Sequence, residues 1–530
     1  MTLFYSLLDE PLISARLAAD GQRLKYSLPG LLAALTEDCL RDFPALRPHQ
    51  RHPWHAFLVQ LAAMALHRTG HTSPFTDEAT WKAALLALTP DDPDGAAWCL
   101  VSPPERPALL QAPIPDNTVS QWKNRLQHAD ELDMLVTSKN HDLKAARMGR
   151  CDPEDWLLAL ISLQTQEGFL GAGNYGISRM NGGFASRPAI GAAPPGGWGR
   201  RWARDTARLL DNRAEIVTSM GLSDQGGIGL VWLLPWTGTT SLAFAALDPF
   251  YIEICRRVRL TQSKDGILAV TTGSQAARIE AKSRNGITGD AWMPVEPGAG
   301  KALTITARGF DYRLSAEILF GQKYRPSIAQ ILTALDGKEG IQMLAQGVTR
   351  GRGKTEGYHE RRIPISPRAR QFLIQKKTDV LARIAEERVH AIGKIRGVLW
   401  SALAALFDNG APKDKFSDSA KSKADLYTKL FERHEDARFF DGPLGLNEEI
   451  ESDQAEDLRL RWYLAMAERA EAILIAAFEA GPRSGEQRYR ARAVALGRFH
   501  GALRSDKTLP TLAAHFRTRH DTQEISHGHP

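Results

Sequence analysis

The chain has 530 residues, of which 43% are hydrophobic and 24% charged, and its formal net charge is +6 at pH 7. That balance excludes a disordered polyelectrolyte and supplies core for about two to four domains, while the mild basic excess permits a polyanionic partner without requiring one. Cys39, Cys99, Cys151 and Cys255 stand far apart with no CxxC pair, so neither a structural zinc nor a disulfide framework is indicated. No basic segment precedes an apolar run at the N-terminus, and no run of about eighteen apolar residues occurs, so a cytoplasmic protein without a membrane partner is expected.

In chain order, residues 3–13 read as a short strand ending in the Asp9-Glu10-Pro11 turn, and Ser27 caps a helix beginning SLPGLLAAL. Phe57, Leu58, Leu61, Ala62, Ala65 and Leu66 recur at a helical period closed by Gly70. His52, His55 and His67 lack the further ligands that a metal site needs, so no metal is expected there. Residues 98–115 carry five prolines and read as an extended surface connector.

Residues 137–188 hold a polar basic loop, an apolar helix and a glycine-rich loop. Asp152 is a good N-cap, Pro153 suits the first helical position, and Glu154 and Asp155 complement the helix dipole. Residues 156–163 are apolar almost all round, as in a buried helix. The loop before it concentrates Lys139, Asn140, His141, Lys144, Arg147 and Arg150, which reads either as a solvated surface loop or as a recognition element. In the loop after it, Gly168, Gly171, Gly173 and Gly176 allow close backbone approach, and Asn174, Tyr175, Arg179, Asn181 and Arg187 supply hydrogen bonds and stacking. Gly171, Gly173 and Gly176 also match GxGxxG. A helix rather than a strand precedes them, and no acid follows at the ribose-binding distance, so a dinucleotide site is rejected.

Residues 203–220 read as loosely helical, and residues 228–247 and 267–272 as strands, with imperfect alternation over 248–260 and 301–307. Arg350, Arg352, Lys354, Arg361, Arg362, Arg368 and Arg370 form the densest basic tract. With three glycines and no large apolar residue, residues 350–357 are expected as an exposed loop able to clamp phosphate. Val348 stands where a phosphate-binding loop ending in Gly353-Lys354-Thr355 needs its first glycine, which counts against a nucleotide site. Beyond Pro367, residues 372–407, 420–431, 454–480 and 486–503 show helical periodicity, and residues 519–530 read as a disordered polar tail. The expected fold class is α+β: a large mixed N-terminal domain with antiparallel strands (residues 1–366), followed by a C-terminal four-helix bundle (residues 367–530). No catalytic constellation of the HExxH or GxSxG kind occurs, so no enzyme activity and no cofactor are expected.

LLDEPLI, SLPGLLAAL, PPERPALLQ, VTSKNHDLKAARM, LQTQEGFLGAGNYGISRMNGGFASRP and EICRRVRL, in this order, resemble the large subunit (CasA family) of the type I-E CRISPR surveillance complex Cascade. The resemblance runs over nearly the whole chain. It implies a subunit that reads the protospacer-adjacent motif (PAM) of target double-stranded DNA, starts strand separation toward an R-loop, and docks a helicase-nuclease. The implied partners are crRNA, target DNA, and the backbone, small, 5′-handle and crRNA-processing subunits. Ser138, Lys139, Asn140 and His141 match the family loop that contacts the crRNA 5′ end and neighbouring DNA. Asn174, Tyr175 and Gly176 fall in its glycine loop at the PAM minor groove. Its groove-entering lysine falls at Lys282, within residues 281–284, and its wedge within residues 351–355. There Lys354 and Thr355 depart from the family's Asn-Gln. Independently of the resemblance, Arg350 and Arg352 of the basic tract are expected to contact DNA phosphate. Two other classes stay open at this point: a scaffold subunit without PAM readout, and a stand-alone metal-dependent nucleic-acid enzyme.

Overall fold

The computed structural model describes residues 3–114, 118–133, 149, 151–182, 187–337, 340–351 and 354–526. They form two compact units, one of residues 1–310 and 323–363, the other of residues 311–322 and 364–530. The fold class is the α+β arrangement expected from the sequence, with mostly antiparallel sheets in the first unit and helices in the second.

The first unit is built on the helix Arg51–Thr69, in which every residue from His52 to Leu66 is buried. Gly70, in the left-handed conformation at φ 74°, ends it, and the amide of His71 returns to the Leu66 carbonyl at 2.8 Å. The helices Pro153–Gln166 and Trp198–Asp211 pack against it, and the indoles of its own Trp54, of Trp156 and Trp202 on those helices, and of Trp292 are buried in this core. Asp152 and Asp155 form the capping box of the helix Pro153–Gln166, and the Glu154 carboxylate accepts from the Ser14 amide at 2.6 Å and its hydroxyl at 2.8 Å. That helix therefore starts from a fixed point in the core.

Two small sheets flank the candidate site. In one, Arg257–Ser263 and Gly266–Thr272 form a hairpin that also pairs with Asn124–Leu126. In the other, Ile341–Gly351 runs between Ala189–Ala193 and Lys354–Ile365. The described part of the tract at residues 350–357 is therefore not a long exposed loop: residues 350–351 and 354–357 belong to two long paired strands, whose residues Met343, Leu344, Val348 and Ile363 are buried. The glycines and charges of this stretch masked a strand pattern carried by its flanks. Residues 98–115 are likewise not a surface connector: Leu100, Leu109 and Leu110 are fully buried, and Cys99–Val101 pairs with Phe4–Ser6. Proline bars a helix there, but it does not bar burial beside a short strand.

In the second unit, the long helix Thr378–Phe407 packs against Asp418–Asp436, Ala455–Ala476 and Gly485–Leu503. By length and composition Thr378–Phe407 could cross a membrane, yet half of that stretch is buried inside the unit. Its Arg388 is fully buried, donates to Glu449 at 2.7 Å and to the Leu444 carbonyl at 2.6 Å, and stacks on Trp462 at 4.2 Å. The stretch expected as one helix over residues 372–407 is broken, with Pro367–Ile374 separate, and residues 519–526 continue the helix Pro510–Ser526 rather than a disordered tail. The short helix Tyr312–Leu319 also belongs to this unit, its first amide bonded to Asp436 at 2.6 Å.

His52 and His55 lie fully buried in the first core, and the His52 ring nitrogens have no hydrogen-bond partner among the described residues. Burial holds His52 well below the ordinary imidazole range. Burial, with Arg201 nearby, pulls His55 down to about 4 against the pull of Asp205. Both histidines therefore take up protons more readily in the unfolded chain. Their contribution is complete above pH 6.5 and is lost as the pH falls toward 4. Thermal melting is expected to show a falling midpoint from pH 7 to pH 5, and His52→Leu, which removes one titrating group, flattens that fall.

Candidate nucleic-acid interface

The glycine loop leaves the helix Pro153–Gln166 and returns alongside itself. The amide of Ile177 bonds to the Glu167 carbonyl at 3.0 Å, and that of Leu170 to the Asn174 carbonyl at 3.0 Å. Gly171 (φ 115°) and Gly173 (φ 85°) turn the tip. Gly176 lets the two legs touch: a Cβ there would lie 2.7 Å from backbone atoms of Gly168 and Phe169.

Arg256 fastens the legs together. Buried, it donates to the Gly168 carbonyl at 2.8 Å and also to the Tyr175 carbonyl. Its own backbone is held by the buried Gln164, whose amide oxygen accepts from the Cys255 and Arg256 amides at 2.8 Å each. The Gln164 amino group donates to the carbonyls of Leu110 at 3.0 Å and Arg256 at 2.9 Å. All four hydrogen-bonding positions of Gln164 are filled. The tip rests on a neighbouring loop, where the Ser274 amide meets the Gly173 carbonyl at 3.0 Å and the Tyr175 hydroxyl donates to the Gln275 carbonyl at 3.0 Å.

Across from this loop stand the parallel pair Leu242–Ala243 and Ile279–Glu280 and the 3-10 turn Lys282–Arg284. Arg284 stacks on Phe244 at 3.8 Å and fixes the turn. The Lys282 side chain is exposed and, among the described residues, makes no ion pair or hydrogen bond. The loop and the turn line one cavity of about 730 Å³, bringing Tyr175, Gly176 and Lys282 together with the apolar side chains of Phe169 and Ile279. The exposed Asn174 faces a second cavity, of about 450 Å³, with Arg256, Arg257 and Gly273.

The remaining expected residues fall elsewhere. Arg350 is buried and ion-paired with Glu167, so it is no exposed phosphate clamp: a residue counted as free charge is bound to an acid that also begins the glycine loop. Lys354 and Thr355 open the strand Lys354–Ile365. Ser138, Lys139, Asn140, His141 and Arg352 lie outside the described residues. Arg179 and Arg187, expected to offer hydrogen bonds outward, are buried. Arg179 donates to the Tyr251 carbonyl at 2.7 Å and stacks on its ring at 3.7 Å, and Arg187 pairs with Asp290. Sequence reasoning missed Arg256, Gln164 and the Glu253 carboxylate that accepts from the Ser178 amide at 2.7 Å. The available signal was an acid and an arginine three positions apart, Glu253 and Arg256, with the apolar Ile254 and Cys255 between them in the EICRRVRL segment.

Among the described residues, no three His, Cys, Asp or Glu side chains gather to hold a metal ion. Burial pushes the thiols of Cys99 and Cys255 up to about 12, which leaves them poor nucleophiles. What the arrangement provides is a rigid backbone loop, an unpaired cation and an exposed amide. Groups of this kind can hydrogen-bond to phosphate oxygens and base edges.

Replacing Arg256 with Lys keeps the charge but removes the fork that bridges the two legs. Amide hydrogen exchange at residues 168–177 is expected to quicken about tenfold or more, while the global melting midpoint moves by only a few degrees.

No protein-family model and no curated protein matches the chain. Solved structures share its fold. CasA (Cse1) of Thermus thermophilus matches at a TM-score of 0.65 and 14% identity, over 95% of this chain and 99% of that one. The CRISPR-associated protein Cse1 of Acidimicrobium ferrooxidans matches at 0.64 and 15% identity, over 98% and 99%. A chain of a CRISPR RNA-guided surveillance complex matches at 0.53 and 13% identity, over 94% and 100%.

Proposed function

We propose that this chain is the large subunit of a Cascade-type CRISPR RNA-guided complex of type I-E, that it reads the PAM of target double-stranded DNA, and that it starts strand separation. In this reading crRNA pairing supplies target sequence specificity, and the other Cascade subunits and a helicase-nuclease are its partners. One observation carries the reading: a chain that shares the fold of Cse1 over 95% of its length sets a clamped glycine loop opposite a lysine whose side chain has no partner among the described residues.

The minor groove shows only acceptors at A·T pairs and adds one donor at G·C. An ammonium group suits those acceptors, and an amide such as that of Asn174 can serve either kind of edge. The loop held by Arg256 presents Asn174, and the turn held by Arg284 presents Lys282, without the ordering cost mobile segments would carry. Such a reader tolerates several related PAM sequences. The wedge then falls within residues 351–355, where the strand Ile341–Gly351 ends and the strand Lys354–Ile365 begins. Opening a base-pair step costs about 1–2 kcal/mol, which one inserted turn offsets at the first step before guide pairing continues.

In the assembled complex, Lys282→Ala and Asn174→Ala are expected to weaken binding to PAM-bearing intact duplex about tenfold, with much less effect on a target already melted beside the PAM. Equal loss on both substrates would instead make these residues part of the assembly, as in a scaffold.

A further inference from the structure

Five arginines from five different elements converge on another cavity of the first unit, about 450 Å³ in volume. Arg16 comes from the strand Ile13–Leu17, Arg41 from Leu40–Asp42, Arg51 from the start of the helix Arg51–Thr69, Arg201 from the helix Trp198–Asp211 and Arg362 from the strand Lys354–Ile365. The glycine loop and Lys282 take no part in it.

The carboxylates nearby do not satisfy these guanidinium groups. Asp42 accepts from Arg16 at 2.7 Å and Glu360 from Arg362 at 3.0 Å. Arg41 and Arg51 reach the same two acids only at 3.8 Å, and Arg201 stands 4.0 Å from Asp205. At those separations none of the three makes a hydrogen bond among the described residues, and the Arg201 Nε is buried without a partner. Asp205 is already engaged by His55 at 2.9 Å, Trp292 at 3.0 Å and Arg204 at 3.1 Å. Burial, with Arg362 and Arg204 nearby, also draws Arg201 below the usual guanidinium range despite Asp205. A purely structural network would match its cations with acids. Here, among the described residues, five cations face Asp42, Glu360 and a shared Asp205. Arg16, Arg41, Arg51 and Arg362 keep 41%, 62%, 42% and 54% of their side-chain surface open to solvent, so their remaining donors are accessible to an incoming anion, and Arg201 Nε is buried without a partner.

Forked donors around a concave, cationic site fit the tetrahedral oxygens of phosphate better than a single carboxylate. We infer that this cavity binds a phosphate ester, supplied either by the backbone of a single nucleic-acid strand or by a free nucleotide. The site is separate from the groove-reading loop, so its test does not depend on the function proposed above.

The test uses the full-length chain with a fluorescein-labelled oligothymidylate and with AMP. Arg41→Gln with Arg51→Gln is compared with Arg68→Gln with Arg308→Gln, which removes the same charge at exposed positions outside the cavity. For a strand occupant, the cavity variant loses about tenfold in oligothymidylate affinity at low salt, and the slope of log K against log salt falls by about 1.4, two contacts at about 0.7 each. The control variant changes neither. For a nucleotide occupant, AMP raises the melting midpoint of the wild-type chain but not of the cavity variant, and strand binding is unaltered. Arg41→Lys with Arg51→Lys guards against misfolding: it keeps the charge and is expected to restore the salt slope with only part of the affinity. Unchanged binding of both probes by the cavity variants would overturn the proposal and leave the arginines as structural.

Discussion

The candidate site depends on one buried side chain pair, Gln164 and Arg256. Gln164 closes four hydrogen bonds that join the core helix, the buried connector at Leu110 and the segment at residues 255–256. Arg256 carries that constraint outward to the carbonyls on both legs of the glycine loop. A glycine-rich segment has more conformational freedom than any other, and without such a clamp its ordering entropy would fall on every binding event. Here the folding of the core meets that cost in advance. The loop is therefore rigid because of residues outside it.

The same economy explains which charges face outward. Arg179, Arg187, Arg256 and Arg350 are spent on carbonyls, carboxylates and rings within the first unit. Lys282 is left exposed, and the side chains of Arg41, Arg51 and Arg201 line a cavity without hydrogen bonds among the described residues. A basic tract in a sequence is thus a mixture of structural and available cations. Only burial and pairing separate them.

Local signals were legible where chemistry and position coincide. The caps at Ser27 and Asp152, the stop at Gly70 and the all-round apolar helix at residues 156–163 appear as expected. Tyr175, Gly176 and Lys282 also come together about one cavity, although more than a hundred residues separate the loop from the lysine. What was illegible is non-local. The hairpin strands at residues 341–365 take their pattern from the residues they pair with, and the connector at residues 98–115 is buried by partners distant in sequence. Arg350 looked free because Glu167 lies 183 positions away. The helix Tyr312–Leu319 packs with residues from the C-terminal part of the chain, an association that no window of sequence contains.

The most direct test of the central claim is duplex binding by the guide-RNA complex assembled with and without this chain, across a library randomised beside the target. Loss of both affinity and flanking-sequence preference on omission is the result expected of the PAM reader. Preference that survives omission would contradict the account and assign recognition to another subunit.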